Sequence, residues 1–318
     1  NKIYFFCEIN ILNFNLIKKT ILNSMFKKKI CILVATRKRK TSLIKFLNSV
    51  VNLQIPNNIS VQTVISINDN QNYSEIKKLY SQKLRIKLVT ERKKGISNAR
   101  NKYLNSIKIN NFDYFAFFDD DVQIDNKWLI EMLKFFKKNE VDIIGGPQLP
   151  KSKSLSSKLL VREEKHGSNV RWVSTNNCIV KSKVLETKMN FDKKMNNIGG
   201  EDQLFFLQLN KMGFKLMWNS KALVVEEKNK KRENFLWFLK RNFRYGASSN
   251  IIYKKAYGSI NGFSFLVVKL LFDFIKLILS LLSLITFTKK SFYKVSMYFC
   301  RILGLIFGLL GFQYYEYA

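Results

Sequence analysis

The chain has 318 residues, 47% of them apolar, so it can bury a full core and a disordered chain is excluded. Its 55 Lys and Arg against 23 Asp and Glu give a net charge of +32, which indicates an anionic partner: nucleic acid, an acidic membrane surface or a phosphorylated substrate. His166 is the only histidine and the four cysteines are scattered, which excludes histidine triads and argues against a disulfide framework or a structural zinc site.

Strand and helix patterns alternate four times in the first 140 residues. Continuous apolar runs predict strands and 3.6-residue periodicity predicts helices. The predicted strands cover 29–35, 61–69, 84–90 and 112–121, and the predicted helices cover 41–53, 73–83, 95–107 and 126–138. This alternation predicts a doubly wound, mostly parallel α/β sheet of Rossmann-like type.

Ligands of such sheets bind beyond the carboxyl ends of the strands. Thr36, Asp69 and the run 119–121 all follow predicted strands, so we expect them to meet at one edge. Neither GxGxxG nor GxxxxGK[ST] occurs, so the dinucleotide and P-loop fingerprints are missing.

The sequence FFDDDVQID, residues 117–125, concentrates scarce negative charge at the end of a strand. Asp119 and Asp121 form a D-x-D pattern that can bind Mg²⁺ or Mn²⁺ and leave positions for phosphate oxygens. The alternative is a solvated acidic turn or a helix N-cap, for which Asp125 is the better candidate. We favour a site for a metal and a nucleotide.

A second motif, GGEDQLFF, begins at Gly199. Gly199 and Gly200 permit positive φ or close backbone approach, and Glu201 and Asp202 open an apolar helix that Gly213 ends. Acidic residues are ordinary in a first helical turn. Together with the upstream D-x-D, however, they are candidate general bases.

A third stretch, residues 226–246, carries Arg241 and Arg244 three apart on a predicted helix. Both guanidiniums then lie near one face and could hold phosphate. A solvated basic face is the more common explanation for such a run.

These motifs together resemble the family 2 glycosyltransferases of the GT-A fold, over roughly residues 29–250. The similar branch that we name includes the succinoglycan-type β-glucosyltransferases. The matching stretches are ILVATRKR, GISNARN, FFDDDVQIDNKWL, STNNCIVK, GGEDQLFF, WNSKALVVEE and RNFRYG.

The resemblance implies an inverting, metal-dependent hexosyl transfer from a nucleotide-diphosphate sugar, most often a UDP-sugar. It implies Asp202 as general base with Glu201 beside it, and Mn²⁺ or Mg²⁺ at Asp119 and Asp121. Glu226 stands where many relatives have a metal-binding His. The implied donor nucleotide contacts are Thr36, Asn68, Asp69, Arg100, Asp119 and Asp120, and the implied diphosphate or acceptor contacts are Asn177, Gly200, Arg241 and Arg244.

The last sixty residues contain two apolar segments. In 263–288 the polar residues Lys269, Asp273, Lys276, Ser280 and Ser283 form one helical stripe, the pattern of an interfacial helix. In 302–315, Gly304, Gly308 and Gly311 allow close helix contact. We interpret the two segments as an interfacial or re-entrant hairpin, with two buried helices as the alternative.

The expected organisation has three parts. Residues 1–24 form an N-terminal extension or a start-site artefact, and 25–260 form the catalytic domain, with a donor half (29–125) and an acceptor half (126–250). Residues 261–318 form membrane-associated helices. We expect a peripheral or re-entrant protein of the cytoplasmic face of the inner membrane, acting in polysaccharide biosynthesis on a glycan or a polyprenyl-diphosphate-linked glycan.

Two other functions remain open. One is a catalytically degenerate transferase fold that acts as a membrane assembly partner, because Asn68 and Glu226 depart from the family pattern. The other is a basic nucleic-acid-binding protein. It is less favoured because the basic residues are spread along the chain without a recognised module, so no nucleic-acid partner is expected.

Overall fold

The computed structural model describes residues 27–227 and 232–315, so the predicted extension at 1–24 lies outside the described residues. The strands are β1 Lys28–Thr36, β2 Ile59–Ile67, β3 Arg85–Thr90, β4 Tyr114–Asp119, β5 Val122–Ile124, β6 Ile143–Gly145, β7 Gln148–Pro150, β8 Cys178–Lys181, β9 Leu216–Trp218 and β10 Val224–Glu226. The α-helices are α1 Lys40–Val51, α2 Ser74–Leu79, α3 Ile96–Ser106, α4 Trp128–Lys138, α5 Leu155–Leu159, α6 Ser182–Leu185, α7 Glu201–Lys211, α8 Phe235–Tyr257, α9 Ser259–Leu282 and α10 Lys289–Leu309.

The main sheet confirms the predicted fold class. Its seven strands run in the order β3-β2-β1-β4-β8-β6-β9. The neighbours β3/β2, β2/β1, β1/β4 and β6/β9 are parallel, and β8 runs antiparallel to both β4 and β6. The sheet is therefore mixed and mostly parallel.

Residues 30–35 of strand β1 are apolar because both faces of the sheet are covered by helices there. Ile30, Ile32 and Val34 pack into one core with α1 and α4. The alternate residues Cys31 and Leu33 pack into a second core with α3 and α7. The two cores hold the carboxyl ends of β1 and β4 side by side, with Ala35 opposite Asp119.

A small second sheet, β5-β10-β7, lies beside the acidic run. Glu226 of β10 pairs in register with Val122 of β5. The backbone N–H of Glu227 donates to the carbonyl oxygen of Asp121 at 2.9 Å. This pairing brings Glu226 next to the acidic run although more than 100 residues separate them in sequence.

The chain ends in three long helices, α8, α9 and α10. Gly258, with φ +86°, joins α8 to α9, so the predicted domain boundary at 260 falls just inside α9. The helix α10 is longer than the apolar run 302–315 because it continues back through the more polar residues 289–301. Within residues 27–227 and 232–315, α10 is the one helix long and apolar enough to cross a membrane, judged by length and composition alone.

The polar stripe of α9 faces inward. Asp273 and Ser280 are buried, and Lys269 donates to Asp273 at 2.7 Å. The outer face instead exposes apolar side chains: Phe263, Val267, Leu271, Phe274, Ile275, Ile278, Leu279 and Leu282. The helix α9 is amphipathic as predicted. Its apolar outer face is exposed, which differs from the alternative of two buried helices.

Two glycines on α10 make a close helix crossing, the kind of contact that their spacing predicts. A Cβ at Gly304 would overlap the carbonyl oxygen of Phe243, and one at Gly308 would lie 2.5 Å from that of Ala247. Both contacts are with α8, the helix that precedes the two apolar segments. Gly311, with φ +92°, follows the end of the helix instead.

Candidate active site

A cavity of about 1190 Å³ opens at the carboxyl ends of the central strands. Thr36 ends β1, Asn68 follows β2, and Asp119 ends β4; all three line the cavity. The opposite walls come from the loop before α7 and from the helices α8–α10. This position is where doubly wound sheets bind ligands.

Arginine and threonine side chains hold the acidic run in place. Thr36 Oγ1 donates to Asp120 Oδ2 at 2.7 Å. The Arg39 guanidinium donates to Asp120 at 3.1 Å and to Asp121 at 2.9 Å. Asp120 is thus buried and fully engaged at the centre of the run, whereas Asp119 and Asp121 flank it.

The run carries more negative charge than its protein partners offset. Burial, together with the nearby carboxylates of Asp119, Asp120 and Glu226, raises the pKa of the Asp121 carboxyl to about 7, although Arg39 acts in the opposite direction. Burial also raises the pKa of Asp120, although Arg39 and Thr36 counter it. A divalent cation would relieve this repulsion, and carboxylate oxygens are the donors that Mg²⁺ and Mn²⁺ prefer.

Arg100 of α3 links the two predicted acidic motifs. Its guanidinium forms an ion pair with Glu201 and a second with Asp119 Oδ1 at 3.1 Å. Burial raises the pKa of the Glu201 carboxyl, and Arg100 opposes that shift. Since Glu201 is buried against Arg100, its carboxylate holds that arginine between the end of β4 and the start of α7.

Asp202 occupies the first turn of α7 and lines the cavity. Ser174 Oγ donates to Asp202 Oδ2 at 2.8 Å, and the N–H of Gln203 donates to Oδ1 at 2.8 Å. Gly199 and Gly200 precede it with φ of +79° and +83°, as the sequence predicts. These contacts orient the carboxylate without an ion pair that would neutralise it among the described contacts.

Asn68 and Asp69 hold loops together. The Asn68 amide donates to the carbonyls of Glu91 and Lys93 and accepts from Gly95 N–H. Asp69 accepts from Lys38 N–H at 2.5 Å, Gln71 N–H at 2.8 Å and Tyr73 Oη at 3.1 Å. Asn68 reaches the cavity wall, but Asp69 lies outside it.

Asn177 also lies away from the cavity wall. Its amide nitrogen donates to the carbonyls of Pro147 and Ala222, each at 2.8 Å, and its oxygen accepts from Trp128 Nε1 at 2.7 Å. The neighbouring Asn176 lines the cavity instead. The described contacts of Asn177 are therefore those of a structural bridge.

The remaining predicted contacts, Gly200, Arg241 and Arg244, all line the cavity. Arg244 is 4% exposed and packs against Gly199, where a Cβ would overlap its Nη1. Tight packing of backbone on guanidinium explains the need for glycine at this position.

Asp119, Asp121 and Glu226 all line the cavity, and Glu226 pairs in register with Val122, the residue after Asp121. Within 27–227 and 232–315, however, no group of three or more His, Cys, Asp and Glu side chains is arranged to hold a metal ion. Two carboxylates still fit a Mg²⁺-like ion, which keeps waters and phosphate oxygens as its other ligands. Glu226 as a third ligand stays a prediction.

Two site residues escaped the sequence analysis. Arg39 contacts the acidic run and Ser174 contacts Asp202, and both lie inside stretches quoted for the resemblance, TRKR and STNN. Their residue types are common on protein surfaces, so only the sheet topology reveals them.

Comparison with known proteins supports the same assignment. The sequence profile of "Glycosyl transferase family 2" matches residues 31–203, more than half of the chain. No curated protein sequence matches significantly. The profile covers the strand ends, Arg100 and the start of α7.

Solved structures share the fold at low sequence identity. The mannosyltransferase PcManGT from Pyrobaculum calidifontis, in complex with GDP-Man and Mn²⁺, has a TM-score of 0.61 at 13% identity, covering 89% of this chain and 87% of that one. S. aureus TarS 1-349, in complex with UDP-GlcNAc, has a TM-score of 0.52 at 14% identity, covering 91% and 93%. A longer TarS structure has a TM-score of 0.50 at 16% identity, and the alignment covers 67% of this chain but only 38% of that one.

The profile match, the mixed sheet and the GT-A neighbours agree, although they do not test the resemblance to the succinoglycan branch. The chain belongs to glycosyl transferase family 2.

Proposed function

We propose that this protein is an inverting hexosyltransferase that moves a sugar from a nucleotide-diphosphate donor to a glycan or a lipid-linked glycan. The observation that carries the proposal is the shared cavity, whose walls include both the acidic run at the end of β4 and Asp202 at the start of α7. One group serves the donor and the other the acceptor.

The donor half of the cavity suits a nucleotide. Thr36, Asn68 and the 119–121 run line it, and Arg39 and Arg100 supply cationic groups for the phosphates. Two solved neighbours carry nucleotide sugars in this fold, GDP-Man in PcManGT and UDP-GlcNAc in TarS. A nucleotide-diphosphate sugar is therefore the proposed donor, with a UDP-sugar the first choice.

Asp202 is the proposed general base. In an inverting transfer the acceptor hydroxyl attacks the anomeric carbon as the bond to the diphosphate breaks, and the hydroxyl proton passes to the base. Ser174 and the Gln203 N–H orient the Asp202 carboxylate. Glu201 is paired with Arg100, so it serves as a positioning residue and not as the base.

Asp119 and Asp121 would hold a divalent ion, Mn²⁺ or Mg²⁺. The raised pKa of Asp121 supports this role, because crowded carboxylates gain most from a cation. When bound, the ion would offset the charge of the leaving diphosphate. The pairs between Arg39 and the carboxylates would then loosen, leaving Arg39 to contact the phosphates.

The acceptor half is proposed to lie at an anionic membrane surface. The apolar outer face of α9 supports this, as does the positive net charge. We propose peripheral or re-entrant attachment at the cytoplasmic face, and a domain plan with the catalytic domain at 25–260 and the membrane-associated helices at 261–318.

The test is a thermal-shift titration of purified protein with UDP, GDP and dTDP, each with and without Mn²⁺. We expect one nucleotide to raise Tm only when metal is present, because the ligand binds the folded state alone. Asp121→Ala should lose this metal-dependent shift, while Asp113→Ala, outside the cavity, should keep it. Stabilisation by no nucleotide, with or without metal, would favour the degenerate assembly partner and reject the proposal.

A further inference from the structure

An arginine in the loop after α5 contacts two tryptophans on the cavity wall. The guanidinium carbon of Arg162 lies 4.2 Å from the centroid of the Trp172 ring and 5.2 Å from that of the Trp218 ring. All three residues line the cavity. Guanidinium groups are attracted to the faces of indole rings, so the two rings restrict where this side chain can lie.

Two hydrogen bonds fix the direction of the Arg162 guanidinium. Its Nε donates to Glu164 Oε1 at 3.0 Å, and its Nη1 donates to the backbone carbonyl oxygen of Trp172 at 3.0 Å. Because the guanidinium is planar and rigid, fixing its Nε end also fixes the direction of Nη1. The Trp172 carbonyl is therefore held by a side chain that has little freedom to move.

This carbonyl lies two residues before the hydroxyl that orients the proposed base. Ser174 Oγ donates to Asp202 Oδ2 at 2.8 Å. Between them in sequence, Val173 is fully buried, and a Cβ at Gly145 would lie 2.5 Å from its Cγ1. Such close packing leaves the backbone little room to adjust, so a shift at Trp172 would be passed on to Ser174.

The loop that carries the arginine lies along β9, the edge strand of the main sheet. The Trp218 N–H donates to the Ser168 carbonyl at 3.0 Å, and the Trp218 carbonyl accepts from the Gly167 N–H at 2.8 Å. The Val170 N–H donates to the Leu216 carbonyl at 3.0 Å. The guanidinium is therefore supported by the sheet and not by a free loop.

Arg162 and Asp202 also interact through charge. Burial lowers the pKa of the Arg162 guanidinium, and the carboxylates of Glu164 and Asp202 act in the opposite direction. The attraction is mutual, so Arg162 adds positive charge near the proposed base. This contribution does not pass through the Trp172 carbonyl, so an experiment can separate it from an effect on Ser174.

We propose that Arg162 is a positioning residue for Asp202. It holds the Trp172 carbonyl at the edge of the main sheet and thereby keeps the Ser174 hydroxyl directed at the Asp202 carboxylate. Arg162 acts through Ser174 and is not itself a catalytic residue. The inference rests on the proposed function, because it explains how the proposed base is oriented.

A double-mutant cycle tests this connection with Arg162→Met, Ser174→Ala and their combination. Methionine keeps an unbranched, adaptable side chain against the indole rings but removes the donors and the charge. The measurement is nucleoside diphosphate release from UDP-glucose, UDP-N-acetylglucosamine and GDP-mannose with water as the acceptor, so that no particular glycan is needed. We expect Arg162→Met to lower kcat roughly five- to tenfold, about the value of one hydrogen bond, and to leave the KM for the nucleotide sugar unchanged.

The combined variant is the decisive measurement. If Arg162 acts through Ser174, changing both side chains lowers kcat by about as much as the larger single effect. Losses that multiply would mean that the two residues act independently, and they would overturn the proposal. A raised KM for the nucleotide sugar with an unchanged kcat would also overturn it, because Arg162 would then be a donor contact.

The matched control is Arg85→Met, the same substitution at an exposed position of β3 outside the cavity. It should leave kcat unchanged, both alone and together with Ser174→Ala. Should Arg162→Met fail to fold, as judged by circular dichroism, Glu164→Gln takes its place in the cycle. This variant weakens the bond at Arg162 Nε and should give a smaller effect of the same kind.

Failure of the proposed function gives a different result. If the unmodified protein turns over none of the three nucleotide sugars, the proposed activity and the catalytic part of the inference fail together, and the cycle is measured by urea unfolding. Ser174→Ala should then lower the urea midpoint less in the Arg162→Met background than alone, which supports the connection between the two side chains as a feature of the fold. Equal shifts in both backgrounds overturn that connection as well.

Discussion

Asp202 is the side chain on which the proposed chemistry depends most directly. Asp202→Asn keeps an oxygen to accept the Ser174 hydroxyl but cannot take a proton. We expect the sugar-transfer rate to fall about 10²- to 10⁴-fold, the usual range for loss of a general base. The measurement is nucleoside diphosphate release in the presence of acceptor.

Ser174→Ala is the companion variant for this prediction. It leaves the Asp202 carboxylate in place and removes one orienting hydrogen bond. A loss of roughly tenfold or less is expected, about the value of one hydrogen bond. Transfer by Asp202→Asn at the unmodified rate would exclude this residue as the base.

Asn177 is expected to contribute to the stability of the fold and not to nucleotide binding. Asn177→Ala would leave Trp128 Nε1 and the carbonyls of Pro147 and Ala222 buried without their partner. We expect the free energy of unfolding to drop by about 2–4 kcal/mol, because each orphaned polar group carries a desolvation cost. Urea unfolding measures the drop, and nucleotide affinity below the melting transition should stay the same.

At this scale the sequence predicts where a side chain lies along the sheet edge better than it predicts the hydrogen bonds of that side chain. Asp69 was predicted from the end of a strand and Asn177 from the resemblance. Both side chains form hydrogen bonds with neighbouring loops. Strand periodicity indicates where a side chain lies along the sheet edge, but the rotamer and its partners depend on loops distant in sequence. Arg39 and Ser174 were missed for the same reason.

The crossing of α8 and α10 is the most constrained contact between elements. Gly304→Ala would push a methyl group into the Phe243 carbonyl, and α8 has its own glycine, Gly246, against the backbone of Arg301. Overpacking of this kind costs about 1–3 kcal/mol. We therefore expect a lower Tm for Gly304→Ala, measured by scanning calorimetry.

Lys290→Ala provides the comparison on the same helix, because it also ends in alanine but at an exposed position in the first turn. Its Tm should change little. Equal melting temperatures for Gly304→Ala and the unmodified protein would mean that the helices can separate without cost, contrary to the close crossing.

Asp142 ties three strands of the sheet together and gives a pH prediction. Burial opposes ionisation, but Lys183, the Lys215 N–H and Lys181 outweigh it, so the pKa of Asp142 is lowered. A lowered folded-state pKa means that the stabilisation is present above the unfolded value of about 3.9 and is lost as pH falls through the folded value. Asp142→Asn should therefore destabilise the protein more at pH 7 than below pH 4, as followed by urea unfolding at each pH. An equal effect at both pH values would contradict the ion pairing.

Sequence periodicity predicted the amphipathic character of the C-terminal helices but not their packing partners. The helix α9 was predicted to be amphipathic from its polar stripe, and the stripe exists, with Asp273 and Ser280 buried. The pattern alone does not show whether the polar stripe faces solvent or the cavity. Both environments favour polar and charged side chains. The partner of Gly304 was likewise open to more than one helix.

The helix α9 presents an extensive apolar exterior. Leu279→Glu places a charge where the side chain is 60% exposed, so the fold should tolerate it. We expect weaker co-sedimentation with vesicles of phosphatidylcholine and phosphatidylglycerol, because burying a carboxylate in the lipid interface is unfavourable.

The matched control is Leu79→Glu, at a 66% exposed leucine on α2. It adds the same charge far along the chain from the membrane-associated helices and should leave vesicle binding unchanged. Binding that is insensitive to Leu279→Glu but falls steeply with salt would mean that charge alone attaches the protein.

The global fold was predictable because its signals are local and repeated. Four alternations of strand and helix predict the parallel core, and the structure confirms it from β1 to α4. The second sheet was not foreseen, since β5, β7 and β10 have three residues each and lack any periodicity to detect. Such short strands form only because the larger sheet brings their segments together.

The packing of Arg244 on Gly199 and of Ile252 on Gly200 joins α8 to the loop that precedes Asp202. Because α8 continues through Gly258 into α9, whose outer face is apolar, the proposed base and the proposed membrane face are mechanically connected. A lipid surface that holds α9 would then also set the orientation of the cavity above it. Acceptors would be selected by the height of their reacting hydroxyl above that surface.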